Sequence, residues 1–140
     1  MITIDLEERT RAVIDAWNRA DWSTYRAATA PAFVHEEHAF GSRCDDVEEV
    51  VRRWRRVTAV YPDTSAEIRM LARLGSTTRA VVTWRATQSA PTPDGAGFAP
   101  PTYKTVVTQD VITMDWRDGL LAAEQHRIGF LSLMAPLQLI

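Results

Sequence analysis

The hydrophobic pattern of the chain changes period once, near residue 65. Before that point apolar residues recur at helical spacing. Leu6, Thr10, Val13, Ile14 and Trp17 fall on one face, and Val47, Val50, Val51, Trp54, Thr58 and Tyr61 form a second stripe. Asp5, followed by Glu8, reads as a capping box that starts the first helix. The segment "ADWSTYRAATAPAF" predicts a short second helix or turn, stopped before Pro31 because a residue preceding proline avoids the helical region. The third helix begins after "CDD" and ends at Pro62. From residue 65 the period is two. Ile68, Met70 and Leu74 alternate with Glu67, Arg69 and Arg73, and Ala80, Val82, Trp84 and Ala86 alternate with Arg79, Thr83, Arg85 and Thr87. Two long strands follow, about 103–116 and 120–130, joined at "WRDGL". Helices followed by a meander of half-polar strands predict one α+β domain over residues 1–140, with helices packed on one sheet face.

The stretch "FVHEEHAF", residues 33–40, packs two histidines and two glutamates into four positions. Its place between two helices, after a proline and before Gly41, predicts a short strand. On a strand a separation of three sends His35 and His38 to opposite faces, so this stretch is not a metal box. Glu36 and His38 then share a face with Val34 and Phe40, at the pocket or its rim, while His35 and Glu37 point to solvent. "SAPTPDGAGFAPPT", residues 89–102, is a Pro/Gly-rich loop, expected to border the cavity mouth and to be more mobile than the sheet.

Composition narrows the field without naming a function. Hydrophobic residues make up 46% and charged residues 24%, with a net charge of −2, which gives no reason to expect a nucleic-acid partner. A single cysteine, Cys44, excludes an internal disulfide and fits a reducing, cytoplasmic setting. No signal segment or bilayer-length apolar run is present, so no membrane partner is expected; the apolar tail "FLSLMAPLQLI" reads as closing a core or a subunit interface. "RRWRR", residues 52–56, reads as the solvated face of the third helix, because Trp54 belongs to its apolar stripe.

Five segments, in order, carry a resemblance. "VIDAWNRADWSTY", "APAFVHEE", "RAVVTWRAT", "PPTYKTV" and "RDGLLAAEQHR" together resemble the SnoaL-like polyketide cyclase branch of the NTF2-like superfamily over about residues 8–130. The resemblance implies an NTF2-like cone: a curved antiparallel sheet wrapped around N-terminal helices, enclosing an apolar pocket, usually in a homodimer. It also implies cofactor-independent acid–base enzymes, alongside members with no activity. The chain departs from the family where Glu124, Gln125 and His126 replace a His-Trp-Asp run, and where Tyr103 replaces a glycine.

The hairpin geometry supplies a candidate site. A three-residue loop at Arg117–Gly119 would place Asp110 opposite His126 and Ile112 opposite Glu124. Thr108, Asp110, Ile112, Met114, Trp116, Leu120, Ala122, Glu124 and His126 then share the apolar face that a cone turns inward. Asp110, Glu124 and His126 are therefore the candidate catalytic groups, with the acid and base assignments open. Trp17, Tyr25, Glu36, His38, Trp54, Tyr61, Met70, Trp84 and Met114 are candidates to contact a substrate; no metal and no cofactor is expected. The function expected is an acid–base cyclase or isomerase acting on a hydrophobic, polyketide-like or aromatic small molecule. Epoxide opening and non-catalytic ligand binding are the alternatives. Val81, Val111 and Leu121 on the outer sheet face would support a homodimer.

Overall fold

The computed structural model describes residues 4–94 and 97–133. Helix α1 (Leu6–Asn18) begins where Asp5 accepts a hydrogen bond from the Glu8 N–H at 3.0 Å. Asp21 and Asp46 cap α2 (Trp22–Ala28) and α3 (Val47–Val60) in the same manner, each satisfying a backbone donor that the first turn leaves free. On α1 the buried face is that of the sequence pattern, Leu6, Thr10, Val13, Ile14 and Trp17; on α3 Val50, Val51 and Trp54 are buried as expected, joined by Val57 and Val60, while Val47 and Thr58 are half-buried. Arg52, Arg55 and Arg56 are exposed, with Arg52 paired to Glu49.

The strands are β1 (Thr29–Glu37), β2 (Ser42–Cys44), β3 (Ser65–Leu74), β4 (Thr77–Thr87), β7 (Thr105–Arg117) and β8 (Leu120–His126), with a small β5 (Thr92–Asp94) and β6 (Gly97–Ala99) between β4 and β7. The six-stranded sheet has the order β2-β1-β8-β7-β4-β3. It is antiparallel except that β1 runs parallel to β8, a pairing that the sequence meander did not contain. The Pro/Gly-rich segment holds the β5–β6 hairpin rather than loop alone; its residues 95–96 lie outside the described part.

Polar ties fix α1 on the sheet. The Asn18 side chain exchanges two bonds with the Ala66 backbone, at 2.9 and 2.7 Å. Thr10 bonds Thr78 at 2.7 Å, and the Trp116 indole N–H donates to the same Thr78 hydroxyl at 2.9 Å. Between helices and sheet, Trp54 stacks on Trp17, Trp22 and Phe130, and Trp84 stacks on Trp17 and Phe130. The aromatic residues expected to contact a substrate are thus packed against one another in the interior. Phe130 and Leu131 of α4 (Phe130–Leu133) join it, so this start of the apolar tail closes the core; residues 134–140 lie outside the described part. No helix among the described residues is long and apolar enough to cross a membrane.

Two bulges correct the expected strand faces. Between Ile68 and Met70 the β3 register shifts, and Met70 on this edge strand is 68% exposed instead of lining the interior. In β8 a shift beside Ala122 turns Leu121 inward, so the outer-face patch expected from Val81, Val111 and Leu121 loses its leucine. Leu120 and Ala122, expected inside, are half-buried.

Candidate active site

The β7–β8 hairpin turns through Asp118 and Gly119, both at positive φ (53° and 77°), with Arg117 paired to Leu120. This is the two-residue turn that Asp-Gly favours, not the three-residue loop expected. Above the bulge, Ile112 faces His126 and Met114 faces Glu124. The register therefore differs by two residues from the expectation, which preserves the face. Asp110 lies diagonally across from His126, and Asp110, Glu124 and His126 all point inward, each no more than 2% exposed.

These three side chains form one hydrogen-bonded line. His126 Nδ1 lies 2.7 Å from Asp110 Oδ2, and His126 Nε2 lies 2.7 Å from Glu124 Oε2. Asp110 is itself fixed by the Ile128 N–H, which donates to Oδ1 at 3.0 Å. At the other end the Tyr25 hydroxyl donates to Glu124 Oε1. With a carboxylate at each ring nitrogen, the imidazole bonds both only by carrying both protons. Burial opposes that charge, but the bonds to Asp110 and Glu124 outweigh it and hold the His126 pKa up at about 10. Burial likewise works against an ionised Glu124, yet His35 and His126 hold its carboxyl well below the usual range. Burial first, and then the Glu124 charge, push the Tyr25 phenol well above its ordinary value, so it stays a donor.

β1 brings two further groups that the sequence reading placed outside. Phe33, His35 and Glu37 are the buried positions of this strand; Glu36 is half-buried and His38 exposed. The alternation was as expected and the phase was reversed. Parallel pairing sets His35 beside Glu124 and Glu37 beside His126. His35 Nδ1 lies 3.5 Å from Glu124 Oε2 and its Nε2 3.7 Å from Glu37 Oε1. The rings of His35 and His126 are 4.9 Å apart between centroids. Burial lowers the His35 pKa, but the nearby carboxylates of Glu124 and then Glu37 win, and the net shift is upward. Among the described residues neither nitrogen of His35 has a hydrogen-bond partner, and the same holds for the buried indole nitrogens of Trp17, Trp54 and Trp84.

The remaining expected contacts divide cleanly. Trp17, Tyr25, Trp54, Tyr61, Trp84 and Met114 are buried inside. Trp17 lies against the His126 ring at 5.8 Å, and Met114 sits opposite Glu124. Glu36, His38 and Met70 lie on the outside; His38 borders an outer-face groove of about 410 Å3 with Arg79 and Arg127. What could have revealed His35 and Glu37 is their shared phase with Phe33, the larger apolar anchor of the strand.

Gly129 shows how tightly Glu37 is held. A Cβ at that position would lie 1.9 Å from Glu37 Oε1 and 2.2 Å from its Cγ. Gly129→Ala is therefore expected to displace Glu37 from His35 and to destabilise the fold by roughly 1–3 kcal/mol, the usual range for overpacking. Urea unfolding checks this, and an unchanged midpoint would show that the glycine is not required.

The fold and this geometry define the class. The SnoaL-like domain model matches residues 10–124, and the chain belongs to that family. Among solved structures it is similar to AclR, a candidate hydroxylase from Streptomyces galilaeus, with 20% identity, TM-score 0.72 and coverage of 94% of this chain and 79% of that one. A candidate polyketide cyclase from Xanthomonas campestris pv. campestris is similar at 20% identity and TM-score 0.72, with 91% and 93% covered. IdmH, a candidate polyketide cyclase from Streptomyces antibioticus, is similar at 20% identity and TM-score 0.71, with 95% and 97% covered. A further relative has a ketosteroid isomerase-like fold, the cone expected from the sequence. Likeness at this identity establishes the fold. No protein of curated function matches the chain in sequence.

Proposed function

We propose that this protein is an acid–base enzyme of the cyclase or isomerase type, acting on a hydrophobic small molecule with an enolisable carbonyl. The observation that carries the reading is the burial of His35, Glu37, Asp110, Glu124 and His126, all within 2% exposure, inside an aromatic interior. Desolvating five ionisable groups is costly, and a carrier of an apolar ligand has no use for them. The unpartnered nitrogens of His35 and three tryptophans add support, since they would receive the polar atoms of a bound ligand. Asp110 and the Ile128 N–H fix the His126 cation, which holds Glu124 ionised beside His35. In this reading the proton leaves the substrate carbon for the Glu124–His35 pair and returns to the developing oxyanion or its neighbouring carbon. The similar structures named as candidate polyketide cyclases make a polyketide-derived ketone the first substrate class to try.

The test is solvent deuterium exchange into a panel of aromatic and polyketide-like ketones, which reads enolisation without needing the complete reaction. Asp110→Asn and Glu124→Gln should each lower the exchange rate about 10²–10⁴-fold, the usual worth of a positioned proton-transfer group. If the wild-type protein exchanges no ketone faster than buffer, or if both folded variants match it, this reading is wrong.

A further inference from the structure

His35, Glu124 and His126 each offer one ligand atom, and the three atoms lie within 4.8 Å of one another. Around a first-row divalent ion with bonds of ~2.0–2.2 Å, neighbouring donors sit about 3.4 Å apart. The 3.5 Å between His35 Nδ1 and Glu124 Oε2 already matches that spacing. The 2.7 Å between His126 Nε2 and Glu124 Oε2 would need to open only slightly.

The surroundings are what separate this trio from an ordinary buried ion pair. A metal-bound histidine characteristically donates its other ring N–H to a carboxylate, which fixes its tautomer and orientation. Here each histidine has a carboxylate on that side, bonded at His126 and 3.7 Å away at His35. Asp110 stands behind His126 on Nδ1, leaving Nε2 toward the centre. Glu37 stands behind His35 on Nε2, leaving Nδ1 toward the centre. Glu124 turns one oxygen to the centre and has the other held by the Tyr25 hydroxyl. Each would-be ligand thus has its own outer support, from three different elements. A second, independent observation is His35 itself, which is 1% exposed and, with carboxylates at 3.5 and 3.7 Å, makes a hydrogen bond on neither nitrogen among the described residues. An imidazole buried so deeply and left without a hydrogen bond is accounted for by a ligand at its centre-facing atom.

We propose that His35 Nδ1, His126 Nε2 and a Glu124 carboxylate oxygen form a binding site for a divalent first-row transition ion. Two histidines and one carboxylate would supply three ligands, the donor set of many sites that also take a further ligand. This goes beyond the acid–base reading, under which the same atoms hold protons; ion and protons are alternative occupants.

The experiment uses tag-free, chelator-stripped protein and equilibrium dialysis against Zn2+ alone or Co2+ alone. One ion per chain is expected, with the visible ligand-field absorption of four- or five-coordinate cobalt. His35→Ala should abolish both. His38→Ala, which removes the one histidine outside the cluster, should change neither. Should His35→Ala fail to fold, Glu37→Gln serves as the second variant: it keeps all three ligands and should weaken binding about 10–100-fold. Folded wild-type protein that binds no ion, a cobalt spectrum unaltered in folded His35→Ala, or undiminished affinity in Glu37→Gln would each overturn the site. The readout is binding without substrate, so its failure leaves the enolisation test standing, and loss of exchange in the other variants leaves this site standing.

Discussion

His126→Ala is expected to destabilise the protein by roughly 3–5 kcal/mol, the cost of breaking a buried ion pair by removing one partner. The imidazole neutralises carboxylates on both sides, each 2.7 Å away and at most 2% exposed. Without it Asp110 keeps only the Ile128 N–H and loses its cation, while Glu124 keeps the Tyr25 hydroxyl and its neighbour His35. The destabilisation should therefore arise mainly from stranded charge. Adding Asp110→Asn and Glu124→Gln to the His126→Ala protein should restore part of the loss, although three polar groups would then have been altered. Urea unfolding at neutral pH measures both variants. A loss under about 1 kcal/mol would mean that the line of hydrogen bonds is not a stabilising unit.

Trp54→Ala should cost a similar amount by a different mechanism. Trp54 is 2% exposed and contacts four aromatic rings: Trp17, Trp22, Trp84 and Phe130. Truncating a buried tryptophan removes its transfer energy and leaves a cavity that the rigid neighbours cannot fill, about 3–5 kcal/mol in all. Arg55, the next residue, is exposed, and its replacement by alanine should stay within ~0.5 kcal/mol. Comparable losses for the two variants would deny Trp54 its place at the centre of the stack.

Much of this architecture was legible in the residues. Asp5 marked the first helix, and the stripes through Trp17 and Trp54 named the buried faces. The face carrying Asp110, Glu124 and His126 was legible even though the pairing was not, because a two-residue slip returns every side chain to the same side. Met70 and Leu121 were misplaced for the converse reason. A bulge adds one residue and reverses the alternation beyond it, and no residue type in these strands announces one. His35 and Glu37 were lost to a tie between phases. Phe33 argued for one face of β1 while Val34 and Phe40 argued for the other, and the chain leaves the strand at Glu37, so Phe40 never belonged to the alternation. What settled the phase was the parallel partner β8, far along the chain, which local periodicity cannot see.

That parallel pairing also sets when the site can exist. Tyr25 and Glu124 are 99 residues apart in sequence, and β1 waits for the last strand of the sheet before His35 meets Glu124. Contacts of such long range close large loops and tend to form after local hairpins in the course of folding. The β7–β8 and β3–β4 hairpins can zip from their own turns; the β1–β8 ladder cannot. His35 and Glu37 should accordingly stay solvated through the rate-limiting barrier, and substitutions there should change the unfolding rate far more than the folding rate. A nascent chain released only as far as β7 carries His35 and Asp110 but lacks Glu124 and His126, so the line of buried charge can close only when β8 docks.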